Sequence, residues 1–155
     1  MAYNERRQMI VNLIACLMAF TLTTTQAEIN EYVVDICSSY NICPELVQAM
    51  IEVESNYDIY AENGDCKGLM QVSEKWHKDR MDKLEITDIF QPYCNIMLGV
   101  DYLAELSEKY EVGLALMIYN GGYDYAMRIY EKGELSSYAE KILERAAELE
   151  EEHGK

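Results

Sequence analysis

At 155 residues the chain is sized for one domain, and with half of its residues apolar it has material for a core. Its net charge of −15 argues against nucleic acid, whose recognition rests on basic patches, and against electrostatic attachment to anionic membranes. Thirteen tyrosines against two phenylalanines and one tryptophan suit hydroxyl-rich ligands, because tyrosine offers a flat ring and a hydroxyl together.

Residues 1–27 read as a secretory signal. Arg6 and Arg7 form the charged start, Met9 to Leu22 is a mostly apolar run interrupted by Asn12, and Thr25-Gln26-Ala27 offers small residues for cleavage before Glu28. The run falls short of the ~20 residues of a spanning helix. Leu13-Ile14-Ala15-Cys16 also resembles a lipoprotein box, so a lipid on Cys16 or an uncleaved anchor is the alternative. Plain secretion is the expectation, with no membrane contact once the signal is removed.

The remaining segment, 28–155, carries Cys37, Cys43, Cys66 and Cys94. An even count in an exported chain suggests two disulfides, with three pairings open. Cys37 and Cys43 flank a short turn, so a local bridge is easy; Cys66 and Cys94 would then join a loop to a later helix. No spacing is Cys-x-x-Cys and only two histidines exist, so neither a metal nor another cofactor is expected.

From Glu28 to Tyr40, Ile29, Tyr32, Val33, Ile36, Cys37 and Tyr40 recur with helical period. Cys43 to Asp58 then reads as an amphipathic helix, with Pro44 in the first turn. Leu46, Val47, Met50, Ile51 and Val53 form its apolar stripe, and Glu54 points into that stripe. Glu45, Gln48 and Glu52 fall on the opposite face, expected to be wet. A carboxylate among apolar side chains is expensive unless paired or protonated. Glu54 is therefore the candidate acid; the bland reading is a helix end bending back to water.

Asn63-Gly64 is a turn signal, and with Gly68–Val72 it predicts one small hairpin. Ser73 is expected to cap a short helix carrying Trp76 and His77. A long helix follows from about Gln91 to Tyr110, then a wholly apolar central helix over Gly113–Tyr119, ended by Asn120-Gly121-Gly122. Tyr123 to Tyr130 is another short helix, and Ser136 or Ser137 caps a last one through Glu150. The acidic end, ELEEEHGK, reads as a solvated tail. The fold class is mostly α: a single domain of about six or seven helices with at most one small β-hairpin.

Four short segments, in order, carry a resemblance. Glu54-Ser55-Asn56-Tyr57, Gly68-Leu69-Met70-Gln71, Tyr119-Asn120-Gly121-Gly122 and Tyr138 resemble the soluble lytic transglycosylase family, of the lysozyme-like superfamily and related to goose-type lysozyme. Asn95-Ile96 and Gly99 fit as well, and the similarity spans roughly 28–149. The family more often has phenylalanine at Tyr57 and alanine at Ile118, and the cysteines are no part of its pattern.

The resemblance implies a lysozyme-like fold. It also implies cleavage of the β-1,4 bond between N-acetylmuramic acid and N-acetylglucosamine in peptidoglycan glycan strands, with a 1,6-anhydro product. Glu54 would serve as acid and then base, and Ser55, Met70, Gln71, Tyr119, Asn120 and Tyr138 would meet substrate or steady the acid. A monomer is expected. Asp58, Glu62 and Asp65 are the acids that a hydrolase would recruit as a second carboxylate. Two alternatives stand beside this reading: a goose-type muramidase hydrolysing the same bond, and a non-catalytic glycan-binding envelope protein.

Overall fold

The computed structural model describes residues 24–155. The Met9–Leu22 run and Cys16 lie outside them. Among the described residues there are seven α-helices and three two-residue strands, and no helix is long and apolar enough to cross a membrane.

Helix α1, Gln26–Tyr40, starts on a capping box: the Thr25 hydroxyl accepts the Glu28 N–H at 3.2 Å, and the Glu28 carboxylate accepts the Thr25 N–H at 2.7 Å. The expected cleavage point after Ala27 falls within the first turn of this helix. Asn41, left-handed at φ 54°, stops it. Helix α2, Pro44–Ser55, opens on proline and stops on Asn56, also left-handed at φ 50°.

A small antiparallel sheet follows, ordered β1 (Glu62–Asn63), β2 (Cys66–Lys67), β3 (Val72–Ser73). β1 and β2 make a hairpin turning at Gly64, as the Asn63-Gly64 signal predicts, but its second arm is Cys66–Lys67; of the expected arm Gly68–Val72 only Val72 enters a strand. The third strand adds Cys66 opposite Ser73 and Lys67 opposite Val72. Ser73 therefore sits in a ladder and does not begin a helix. Its hydroxyl instead accepts the Trp76 N–H at 3.4 Å, and α3 starts later, at Lys78–Lys83.

Helices α4 (Pro92–Ser107), α5 (Val112–Gly121), α6 (Tyr123–Tyr130) and α7 (Ser137–Glu152) complete the chain. Gln91 caps α4 by accepting the Cys94 N–H, and Ser136 caps α7 by accepting the Ala139 N–H. α5 is central, with Leu114 to Ile118 all buried. Around it the core gathers Val47, Met50 and Ile51 of α2, Leu98 and Leu103 of α4, and Ile142 of α7.

One expectation about the outer faces needs correcting. The face of α2 bearing Glu45 and Gln48 is dry, at 1% and 4% exposure, because α7 packs along it. Helical period assigned these two residues to the surface; the packing of a second helix buries them. The acidic end keeps Glu148, Glu151 and Glu152 exposed, as a solvated tail should, with Leu149 alone of its residues buried. It is nonetheless tied to α2: Arg145 Nε pairs with Glu52 at 2.7 Å, and Lys155 Nζ reaches Glu45 at 2.7 Å.

The expected disulfides are not formed, and all four cysteines are free thiols. Cys37 is fully buried in the core, and burial pushes its thiol up to about 12. Cys43 is half-buried, with Sγ 3.3 Å from a carboxylate oxygen of Glu45 and 3.3 Å from one of Glu150.

Candidate active site

The segments singled out in the sequence converge at the C-terminal end of α2. Glu54 lies in the last turn, half-buried. The Ser136 cap sets Tyr138 in the first turn of α7, and its hydroxyl donates to Glu54 Oε1 at 2.5 Å. Burial raises the pKa of Glu54 above the usual carboxylate range, and the bond from Tyr138 opposes that rise only in part. Burial, reinforced by the charge of Glu54, drives Tyr138 the same way. Tyr138 is thus a fixed donor that stays protonated, beside an acid whose proton is retained to higher pH.

Among the described residues, burial and the Tyr138 bond are what shift Glu54, with no cation and no second carboxylate beside them. Asp58 is exposed and accepts the Tyr60 N–H at 2.9 Å. Glu62 is exposed on β1, and Asp65 lies 3.9 Å from Lys75.

Ser55 turns away from Glu54. Its hydroxyl reaches Leu69 O at 2.8 Å and Ile51 O at 3.1 Å, fastening the end of α2 to the Gly68–Gln71 segment. That segment is held from the other side by Asn95 of α4, which is fully buried. Asn95 Oδ1 accepts the Met70 N–H at 2.8 Å, and its Nδ2 donates to Lys67 O and Ile89 O, both at 2.9 Å. Two glycines permit this approach. A Cβ on Gly68, at φ +74°, would stand 2.3 Å from Asn95 Nδ2, and one on Gly99 would stand 2.5 Å from Met70 Sδ.

Met70 itself is 0% exposed, so its side chain is out of reach of any ligand. Its backbone serves the site instead: Tyr119 donates its hydroxyl to Met70 O at 3.0 Å. Gln71, left-handed at φ 48°, donates both amide protons inward, to Ala61 O at 3.0 Å and Gly68 O at 2.9 Å. What its amide has left is the acceptor Oε1.

Gln71, Tyr119 and exposed Asn120 border a cavity of about 590 Å³ that continues past Tyr102, His77 and Trp76. Glu54 is not one of its lining residues; it adjoins the cavity through Tyr119 and Cys66, both of which feel its charge. The rings of Tyr119 and Tyr102 lie 5.2 Å apart, and those of Tyr102 and His77 4.4 Å apart. Arg80, anchored by Asp101 and Glu105, sits 5.3 Å from the Tyr102 ring and braces this aromatic wall.

A family model for the transglycosylase SLT domain matches residues 31–138. The chain belongs to this family. Among solved structures it is similar to an inactive mutant of the lytic transglycosylase Slt from Pseudomonas aeruginosa, with a TM-score of 0.69 and 19% identity. That likeness covers 80% of this chain and 24% of the other, so the SLT domain here spans about a quarter of that protein's length. At such identity the match speaks for the fold, a mostly α, lysozyme-like one.

Of the seven residues that the resemblance assigns to the site, the fold gathers Glu54, Gln71, Tyr119, Asn120 and Tyr138 in one region, while Ser55 and Met70 are spent on holding the Gly68–Gln71 segment. Asn95, noticed only as a matching position, turns out to suspend the Gly68–Gln71 segment. The available signal was an amide set in a run of buried residues, Asn95-Ile96 through Leu98-Gly99. Tyr102 and His77 carried no comparable signal, since each fits a helix face or turn without a ligand.

Proposed function

We propose that this SLT domain is a peptidoglycan lytic transglycosylase, cleaving the β-1,4 bond between N-acetylmuramic acid and N-acetylglucosamine with Glu54 as its one acid–base group. The observation that supports this reading is a half-buried carboxyl with a raised pKa, bonded to Tyr138, with no second carboxylate acting on it among the described residues.

Protonated Glu54 gives its proton to the glycosidic oxygen as the C1–O bond breaks. The resulting carboxylate takes the proton of the muramic acid C6 hydroxyl, whose oxygen bonds to C1 and closes the anhydro ring. Glu54 ends the cycle protonated, as it began, and no water is consumed. One carboxyl suffices because the nucleophile is tethered to the electrophile, an arrangement with an effective-concentration advantage over water. A two-carboxylate glycosidase needs its second acid to activate water or to attack C1. Tyr138 donates to Glu54 in both protonation states and keeps the carboxyl aimed. Tyr119 and Asn120 border the sugar-binding side, and Gln71 Oε1 accepts from a hydroxyl or N-acetyl N–H. Ser55 and Met70 act at one remove, by fixing the segment that bears Gln71. Export, by the leader expected at 1–27, would bring the enzyme to its substrate.

The test is mass spectrometry of digested cell-wall sacculi. Wild type is expected to release fragments with 1,6-anhydro ends, and Glu54→Gln none. Reducing ends from wild type would point to a muramidase. Clearance unaffected by Glu54→Gln would leave Glu54 without a role.

A further inference from the structure

We propose that Trp76 is a sugar-stacking platform in the lining of the same cavity, taking a pyranose ring of an N-acetylated glycan. This rests on the glycan-cleaving reading above.

Trp76 is the chain's one tryptophan, and it is 76% exposed. The indole belongs to the lining of the cavity, so its apolar face is open to whatever occupies it. The backbone beneath the ring is held in place, and a lysine lies over the ring itself. Its backbone N–H is bound by the Ser73 hydroxyl, the His77 N–H donates to Ser73 O at 3.1 Å, and the Lys75 ammonium sits 5.3 Å from the ring centroid. Behind it runs the aromatic wall of His77, Tyr102 and Tyr119.

Charge indicates which ligand. In a chain of net charge −15, the cavity lining among the described residues contains no carboxylate, lysine or arginine, and the charge nearest the platform is the Lys75 ammonium over the Trp76 ring. Its one titratable base, His77, is pushed down by burial and is neutral at pH 7. Rings, amides and hydroxyls without charge match a hydroxylated, N-acetylated sugar, whose C–H face packs on aromatic carbon while its polar edge meets Gln71 and Asn120. A phospholipid surface fits less well: the ring belongs to a cavity wall, and the chain's charge repels anionic headgroups.

Because Trp76 has no competing fluorophore of its kind, its emission reports on this position alone. In Glu54→Gln protein, titration with N-acetylglucosamine hexamer and with solubilised glycan strands is expected to give a saturable blue shift. Trp76→Ala is expected to raise KM for long strands roughly three- to tenfold, with the loss falling on KM and not on kcat. Trp76→Phe restores most of it. Emission unchanged while calorimetry registers glycan binding overturns the proposal, as does a shift with anionic vesicles and none with glycan. A glycan-induced shift in a protein that forms no anhydro ends would instead defeat the enzymatic reading and leave this one standing.

Discussion

Helix α2 carries two glutamates nine positions apart whose carboxyls behave oppositely. Glu45, near its start, is 1% exposed; burial pushes its pKa up, but bonds from His153 and Lys155 outweigh that and hold it at about 2. Glu54, near its end, is less enclosed but meets only a neutral hydroxyl, and burial takes its pKa upward. Same residue, same helix, opposite proton affinity: the difference lies in what α7 brings to each end. The residues just after its C-terminus supply the Lys155 ammonium and the His153 ring, and its first turn supplies Tyr138. Depth alone does not raise the pKa of a carboxyl here; depth without a countercharge does.

The contrast can be broken at either end, and the largest effect belongs to Glu54. Replacing it with glutamine removes the proton donor while keeping its size and a partner for Tyr138. We expect turnover of sacculi to fall roughly 100- to 10,000-fold, measured as anhydro-end release, with thermal stability little changed. Asn95→Ala attacks the support of the Glu54 end. It strands Met70 N–H, Lys67 O and Ile89 O, and we expect a loss of about 3 kcal/mol in urea unfolding.

At the other end, Glu45→Gln removes a depressed carboxylate. Its stabilisation is present above the unfolded value of 4.5 and lost as pH falls towards about 2. The variant is therefore expected to be less stable than wild type by roughly 1–3 kcal/mol at pH 7. The gap should close near pH 2, and kcat should be unaffected. Denaturant midpoints across that range check it. The smallest effect is that of Tyr138→Phe. Since the Tyr138 bond lowers the pKa of Glu54, its removal should shift the alkaline limb of the pH–kcat/KM profile upward, with a rate loss of about tenfold. A limb that moves downward would show that Tyr138 does not favour the carboxylate.

Much of this was legible in the chain. The stripe from Leu46 to Val53 with Glu54 set into it, the apolar run of α5, the Ser136 cap and the four ordered motifs led to the helices, the SLT family and the acid. The misreadings share a cause: they concern where one element meets another. Glu45 and Gln48 look solvated by period, and only the docking of α7 buries them. Ser73 looks like a cap until a strand two residues long pairs it with Cys66, too short for alternation to register. Cysteine counting carries no direction, so it could not foresee Cys37 in the core with Cys43 facing Glu45 and Glu150. Trp76 and Tyr102 lie apart in sequence, and the cavity wall they share exists only after folding.

Carbon-detected NMR titration of the glutamate side-chain carboxyls follows both ends of α2 in a single experiment. The account predicts a Glu54 midpoint above 4.5 and a Glu45 midpoint well below it, with the Glu54 midpoint matching the alkaline limb of turnover. A Glu54 midpoint at or below 4.5 would contradict it, because the carboxyl beside Tyr138 would then hold no proton to give.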